Sequence, residues 1–367
     1  MTLYPNLIKD VLATVRYPGN GKNLIENDML EDDIRIDGMR VSFSLLFDKP
    51  TDPFRRSLVK AVESAIHTCV SSDVEVIINT KSRTELPPEP EKLLSGVKNI
   101  IAVSSGKGGV GKSTVTANLA IGLAKLGYRV GLLDTDIFGP SMPKMFQVEE
   151  ERVYSQNVDG RDFIVPMEKY GVKLLSIGFF VSPDQATLWR GGMASNALKQ
   201  LLSDTLWGDL DYFILDTPPG TSDIHLTLLQ NIDITGAVIV STPQEVALAD
   251  ARKGINMYMN DKVNVPILGL VENMSWFTPA QHPDERYYIF GRDGVKNLAD
   301  SLNVPLLAQI PLIQDVCESG DSGVPAVLDP ASPAGIAMMG LAARVVTQVD
   351  KRNMELPPTE HVHVSKH

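Results

Sequence analysis

Cysteine is scarce: Cys69 and Cys317 are the only two in 367 residues. That excludes a disulfide framework, and a reducing cytoplasm is the simple expectation. No apolar run approaches the ~18 residues of a membrane span, so no membrane partner is expected. The first residues lack a basic stretch followed by a long apolar one, so they do not read as a signal peptide. Positive charge is also short. Lys and Arg total 34 against 45 Asp and Glu, a net charge of −11. General nucleic-acid binding needs a positive field that displaces counterions, so no nucleic acid is expected as a partner. There is no internal repeat and no low-complexity tract. What remains is ordinary, 43% hydrophobic and 22% charged, enough to bury a full core.

The pattern divides the chain into 1–80, a linker at 81–96, a large domain at 97–350 and a flexible tail at 351–367. Leu3, Leu7, Ile8, Val11 and Leu12 have helical spacing. Ile34, Ile36, Val41, Phe43, Leu45 and Phe47 alternate, as in two short strands joined near Asp37-Gly38. A helix over 53–70 and a strand over 74–78 complete a small α+β unit. The linker holds Pro87, Pro88 and Pro90 among charges and has no apolar period. Beyond it, continuous apolar strands are predicted at 100–104, 129–133, 172–177, 212–215, 237–241, 267–271 and 306–310. Helical stretches separate them, the last about Gly335 to Gln348. Apolar on both faces and alternating with helices, they predict an α/β fold with a doubly wound, mostly parallel sheet. The three histidines of the tail, from His361 to His367, read as solvated.

Residues 106–113 read Gly-Lys-Gly-Gly-Val-Gly-Lys-Ser and match G-x-x-x-x-G-K-[ST]. They follow a strand and open a helix at Lys112. Glycines let backbone N–H groups close around phosphate oxygens, and the helix N-terminus adds its positive end. The cradle is therefore Gly106, Lys107, Gly108, Gly109, Val110, Gly111, Lys112, Ser113 and Thr114. Lys112 is placed to reach the β- and γ-phosphates of ATP, and Ser113 to offer its hydroxyl to Mg²⁺.

Carboxylates follow at strand ends, which in such a sheet line the ligand crevice. One strand ends Leu133-Asp134-Thr135-Asp136, and another ends in Asp216, followed by Thr-Pro-Pro-Gly220-Thr-Ser-Asp223. Asp216 has the position that holds Mg²⁺ through its water shell. The N–H of Gly220 is a candidate sensor of the γ-phosphate. Asn273, at a further strand end, can donate to and accept from a base, and Pro311 can pack on its ring.

The extra lysine makes the loop resemble the deviant Walker A group, which includes MinD-like and ParA-like ATPases and the nitrogenase iron protein. The resemblance implies a homodimer closed around two ATP molecules, with Lys107 reaching across to the partner's nucleotide. It also implies that Asp136 orients the attacking water and that Asp134 supports Mg²⁺. The adenine roles of Asn273 and Pro311 are likewise implied by the wider group. Trp189-Arg-Gly-Gly-Met193, Asp216 to Asp223, Thr242 to Lys253 and Val271-Glu-Asn-Met-Ser275 are further similar to the Mrp/ApbC family of iron–sulfur cluster carriers. Residues 1–80 resemble the small iron–sulfur assembly domain often fused before such ATPases. The implied function is ATP hydrolysis in cluster assembly or transfer, with iron–sulfur client or scaffold proteins as partners. The family usually carries Cys-x-x-Cys shortly after the Asn-Met-Ser stretch. Here 276–290 contains no cysteine but holds His282, Asp284 and Glu285, which read as a solvated loop. No cluster ligand is assigned, and Cys317 supports at most a labile [4Fe–4S] cluster completed by a small thiol. The alternatives are a spatial-positioning ATPase like MinD or ParA and a small-molecule kinase or ligase. The first lacks a basic amphipathic last helix, and the second an identifiable acceptor pocket.

Overall fold

The computed structural model describes residues 3–31, 33–83, 93–137, 139–180, 191–279, 282, 284–313 and 323–359. The chain forms two compact units, Met1–Glu91 and Lys92–His367.

In the first unit, helices α1 (Pro5–Leu12) and α2 (Arg55–Cys69) pack with a three-stranded sheet of β1 (Arg35–Asp37), β2 (Arg40–Phe47) and β3 (Glu75–Ser82). β1 and β2 are antiparallel, turning at Asp37–Arg40, while β2 and β3 run parallel with α2 as the crossover. The alternating residues Val41, Phe43, Leu45 and Phe47 meet Ile8, Leu12, Leu58, Val62 and Ile66 in one core. Among the described residues β3 pairs only with β2, and Arg55 donates to the Thr80 carbonyl at 3.1 Å.

The second unit is built on an eight-stranded sheet. Its strands are β4 (Val97–Ser104), β5 (Val130–Asp134), β8 (Met167–Lys169), β9 (Val172–Ser176), β10 (Leu210–Asp216), β11 (Gly236–Ser241), β12 (Ile267–Phe277) and β13 (Leu306–Leu312). They lie in the order β13-β12-β11-β4-β10-β5-β9-β8. All neighbours are parallel except β8 on β9. The seven predicted strands are all present. Helices α3 (Lys112–Lys125) and α9 (Pro333–Glu355) cover one face. The other face is covered by α5 (Gly191–Ser203), α6 (Asp223–Asn231), α7 (Glu245–Met259) and α8 (Gly294–Leu302). A short α4 (Met142–Met145) follows β5. This is the doubly wound architecture, with the central strands β5, β10 and β11 and the latter part of β4 apolar on both sides because both sides are covered.

Three features differ from expectation. β12 runs past Val271 to Phe277. The last helix runs on to Glu355, because Val349 and Arg352 keep its buried face going, so the chain is still helical at residue 351. A hairpin of β6 (Ser155–Val158) and β7 (Arg161–Ile164) was not foreseen. It turns at Asp159-Gly160, both at positive φ (52° and 84°), as a two-residue hairpin turn requires.

Candidate functional site

The loop leaves β4 at Ser104 and enters α3 at Lys112, at the carboxyl ends of the central strands. Two of its glycines have different reasons to be there. A Cβ on Gly106 would lie 2.1 Å from the Asp250 carbonyl carbon, so only glycine lets the loop lie against the backbone of α7. Gly111 has φ 79°, and a Cβ there would lie 2.2 Å from Asn273 Nδ2. By contrast a Cβ on Gly109 meets nothing within 4 Å. The loop thus rests on two elements and is open above them. The opening is a cavity of about 270 Å³, lined by Lys107, the backbone from Gly108 to Thr114, Asp136, Ser141 and Pro219, among others.

Asp216 forms the floor. Lys112 Nζ donates to its Oδ1 at 2.7 Å, Ser113 Oγ to its Oδ2 at 2.7 Å, and Thr116 Oγ1 to Oδ1 at 2.7 Å. Lys112 is 6% exposed and Asp216 fully buried. An ion pair so deep persists because each charge has its opposite and its hydrogen bonds. Thr116 was not singled out in the sequence. Its signal is position: it stands one helical turn after Lys112 on the same face of α3.

Asp134 pairs in register with Asp216 on the neighbouring strand. It is fully buried and accepts the N–H groups of Asp136 (3.1 Å), Ser141 (3.2 Å) and Met142 (3.2 Å), and the Ser176 hydroxyl (3.0 Å). It therefore ties down the turn that carries Asp136. Burial, reinforced by the charge of Asp216, pushes its carboxyl well above the usual carboxylate range, against the pull of the Met142 and Asp136 N–H groups and of Lys112. The Ser141 hydroxyl oxygen is buried in the same place without a hydrogen-bond partner among the described residues.

The remaining predicted residues sit around this centre. The N–H of Gly220 (φ 76°) donates to the Ser105 carbonyl at 2.8 Å, closing the Thr217–Ser222 segment onto the loop's first residue. Asn273 is buried, and its Nδ2 donates to the Val110 carbonyl at 2.9 Å, so its amide supports the loop from below. Pro311 is buried in β13. Lys107, Lys112, Ser113 and Asp136 line the cavity, whereas Gly220, Asn273 and Pro311 do not.

Residues 96–346 match the pattern described as NUBPL iron-transfer P-loop NTPase, which spans the sheet, the loop and α3. The chain belongs to that family. Residues 6–77 match a second pattern, described as iron-sulfur cluster assembly protein. The iron-sulfur cluster carrier protein of Synechocystis is 42% identical over 351 residues, 95% of this chain and 98% of its own length. The iron-sulfur cluster transfer protein NUBPL of Dictyostelium discoideum is 45% identical over 266 residues, 72% of this chain and 80% of its own. Among solved structures, a nucleotide-binding protein from Archaeoglobus fulgidus in complex with ADP is 38% identical. It aligns with a TM-score of 0.55 over 63% of this chain and 88% of that one. The likeness to a NTPase fold and to iron–sulfur proteins is thereby shown.

The segment where this family usually carries its cysteine pair is built otherwise. Phe277 and Tyr287 exchange two backbone hydrogen bonds of 2.8 Å. The Arg286 guanidinium lies 4.4 Å from the Trp276 ring centre. His282 is exposed, 3.6 Å from Glu285. Residues 280, 281 and 283 lie outside the described set, as do Trp189, Cys317 and the histidine tail. Cys69 is exposed at the end of α2. Among the described residues no group of three or more His, Cys, Asp or Glu is placed to hold a metal ion. No helix among them is long and apolar enough to cross a membrane.

Proposed function

We propose that the chain binds ATP with Mg²⁺ and hydrolyses it, as a homodimer, in the assembly of iron–sulfur clusters or their transfer to client or scaffold proteins. The observation that carries this reading is the convergence of Lys112, Ser113 and Thr116 on one buried carboxylate beneath an open glycine loop. That group fits a nucleotide with its metal. Loop N–H groups suit phosphate oxygens, and Ser113 and Asp216 suit a hydrated Mg²⁺, with Asp134 behind them. The metal supplies charge neutralisation at the phosphates. Lys112 must then turn from Asp216 towards phosphate, so binding exchanges one buried charge pair for another. Asp136 and Lys107 share the cavity. Asp136 is suited to orient water, and Lys107 to reach a partner's nucleotide.

The names of relatives at 42% and 45% identity favour cluster handling over spatial positioning. The cluster is cargo on this reading. The 276–290 segment offers it no thiolate.

The test is steady-state ATP hydrolysis with Mg²⁺. Lys112→Ala is expected to lose activity by about 100-fold or more, since it removes a charge made for the transferring phosphate. Lys107→Ala is expected to bind nucleotide and fail to turn over. Wild-type turnover in a folded Lys112→Ala protein would reject this loop as the site.

A further inference from the structure

The predicted site leaves one buried imidazole unused. His225, in the first turn of α6, is 1% exposed. Its Nδ1 faces both the backbone N–H and the hydroxyl of Ser222 at 3.2 Å, capping the helix that the Thr217–Ser222 segment runs into. Its Nε2 faces Ser104 Oγ at 3.5 Å. Its ring meets that of the buried Tyr258, on α7, edge-on at 6.5 Å between centres. The Tyr258 hydroxyl in turn contacts the side chains of Ser104 and Thr217.

Chain position gives this cluster its meaning. Ser104 is the last residue of β4 before the loop. Thr217 follows Asp216, and its N–H and hydroxyl both donate to the Val103 carbonyl at 3.1 and 3.0 Å. Ser222 ends the segment that contains Gly220. The cluster therefore touches both ends of the Thr217–Ser222 segment and the strand that launches the phosphate loop. Between those ends, the described fastening of the segment to the loop is the bond from Gly220 N–H to the Ser105 carbonyl. That bond must open before the Gly220 N–H can meet a phosphate.

We infer that His225 is a positioning residue, backed by Tyr258, which anchors the trailing end of the Thr217–Ser222 segment to β4 and so sets where Gly220 stands over the loop. The inference rests on the ATPase reading for its effect on turnover. Its effect on the segment itself does not depend on that reading. His225 does not line the cavity, and neither do Ser104 and Ser222, its hydrogen-bond partners. Removing it is expected to slow turnover while sparing nucleotide affinity, which rests on the loop backbone and Lys112.

The imidazole lends itself to dissection. An asparagine carries its amide oxygen close to where Nδ1 stands, and so keeps the Ser222 cap while losing Ser104. An alanine loses both. The experiment uses the full chain and reads two quantities. The first is hydrogen exchange of the Gly220, Thr221 and Ser222 amides, which reports opening of that segment, since Pro218 and Pro219 carry no amide hydrogen. The second is kcat against KM for ATP. His225→Ala is expected to speed exchange at 220–222 by about ten-fold, with the β4 and β10 amides unchanged, as loss of roughly one to two hydrogen bonds predicts. Its kcat is expected to fall about ten-fold with KM within about two-fold. His225→Asn is expected to recover most of the exchange protection, and Ser104→Ala, which removes only a hydroxyl, to show the same pattern more weakly. Unchanged exchange at 220–222 in both His225→Ala and Ser104→Ala would overturn the inference. So would faster exchange spread evenly over the sheet, which marks a merely structural residue. A wild type that hydrolyses no ATP but shows the local exchange effect would reject the ATPase reading and leave the anchor standing.

Discussion

At the scale of single residues, the site is governed by what burial does to charge. Lys112 and Asp216 hold each other at 2.7 Å out of water. His225 faces the same interior with no carboxylate of its own. Burial, helped by the nearby Lys112 charge, lowers its imidazole from the ordinary 6.5 to about 4. It is therefore neutral at pH 7, and it takes up a proton later than the same residue in the unfolded chain. Between about pH 6.5 and 4 the unfolded state binds more protons, so stability rises with pH in that window and is lost on acidification. The loss from this one group is on the order of 3 kcal/mol once the pH is well below both values. Urea unfolding of the larger unit at pH 7 and pH 4.5 should show a clearly smaller acid loss in His225→Asn than in the wild type. Equal losses in the two proteins would mean that His225 is not the buried neutral group described. None of this was legible in the sequence. The stretch from Asp216 to Asp223 was read for its strand end and its glycine, and a lone histidine two residues on shows no burial by itself. Lys112, Ser113 and Asp216 were legible because the spacing of a phosphate loop and an acidic strand end dictates their geometry. Asn273 is singled out in the sequence by its expected place beside a base, but its donation to Val110 was not legible, since an amide in a strand does not announce its partner.

Among elements, the loop owes its shape to two neighbours far along the chain. α7 presses on Gly106, and β12 supports Val110 and lies against Gly111 through Asn273. A side chain on Gly106 has no flexible neighbour to displace, because the atom it meets 2.1 Å away is backbone of α7. Gly106→Ala should therefore cost about 1–3 kcal/mol of stability, the usual penalty for overpacking, and weaken nucleotide binding as the loop shifts. Gly108→Ala is its control. A Cβ there finds only the Pro219 ring at 4.0 Å, so stability should change by under about 0.5 kcal/mol. Calorimetry of the two variants side by side measures the contrast, and equal melting points would mean that α7 does not brace the loop. The strands of the sheet were legible because covered parallel strands are apolar throughout. The β6–β7 hairpin was not, since its strands are mostly exposed and show no apolar alternation, although Asp159-Gly160 was a turn signal in plain view. The last helix was underestimated for a related reason. Its final turns bury Val349 and the stem of Arg352 among charged neighbours, and Arg352 ends by donating to the Pro357 carbonyl at 2.7 Å.

For the whole molecule, the open question is where a cluster would be held. A bridging [4Fe–4S] cluster takes about four thiolates, and a symmetric dimer offers each cysteine twice. This chain has only Cys69, exposed on α2 of the first unit, and Cys317, which the sequence places in the second. Four thiolates at one site would need both units of both subunits to meet. Cys317 alone would supply two, which suits only a labile cluster completed by a small thiol. In the segment that usually bears the ligand pair, Trp276 and Arg286 face each other, and His282 sits exposed beside Glu285. Imidazole and carboxylate are harder ligands that suit loosely held divalent metal better than a cluster. The protein alone is therefore expected not to retain a stable bridging cluster, and to work through the thiols of its partners. Anaerobic reconstitution with iron and sulfide, followed by desalting, measures this directly by absorbance and by iron per dimer. The wild type should come through with well under one cluster per dimer and should match a Cys69→Ser/Cys317→Ser double variant. A near-stoichiometric cluster that survives desalting in the wild type and vanishes in the double variant would show that the two cysteines suffice, and that the missing pair has been replaced from elsewhere in the chain.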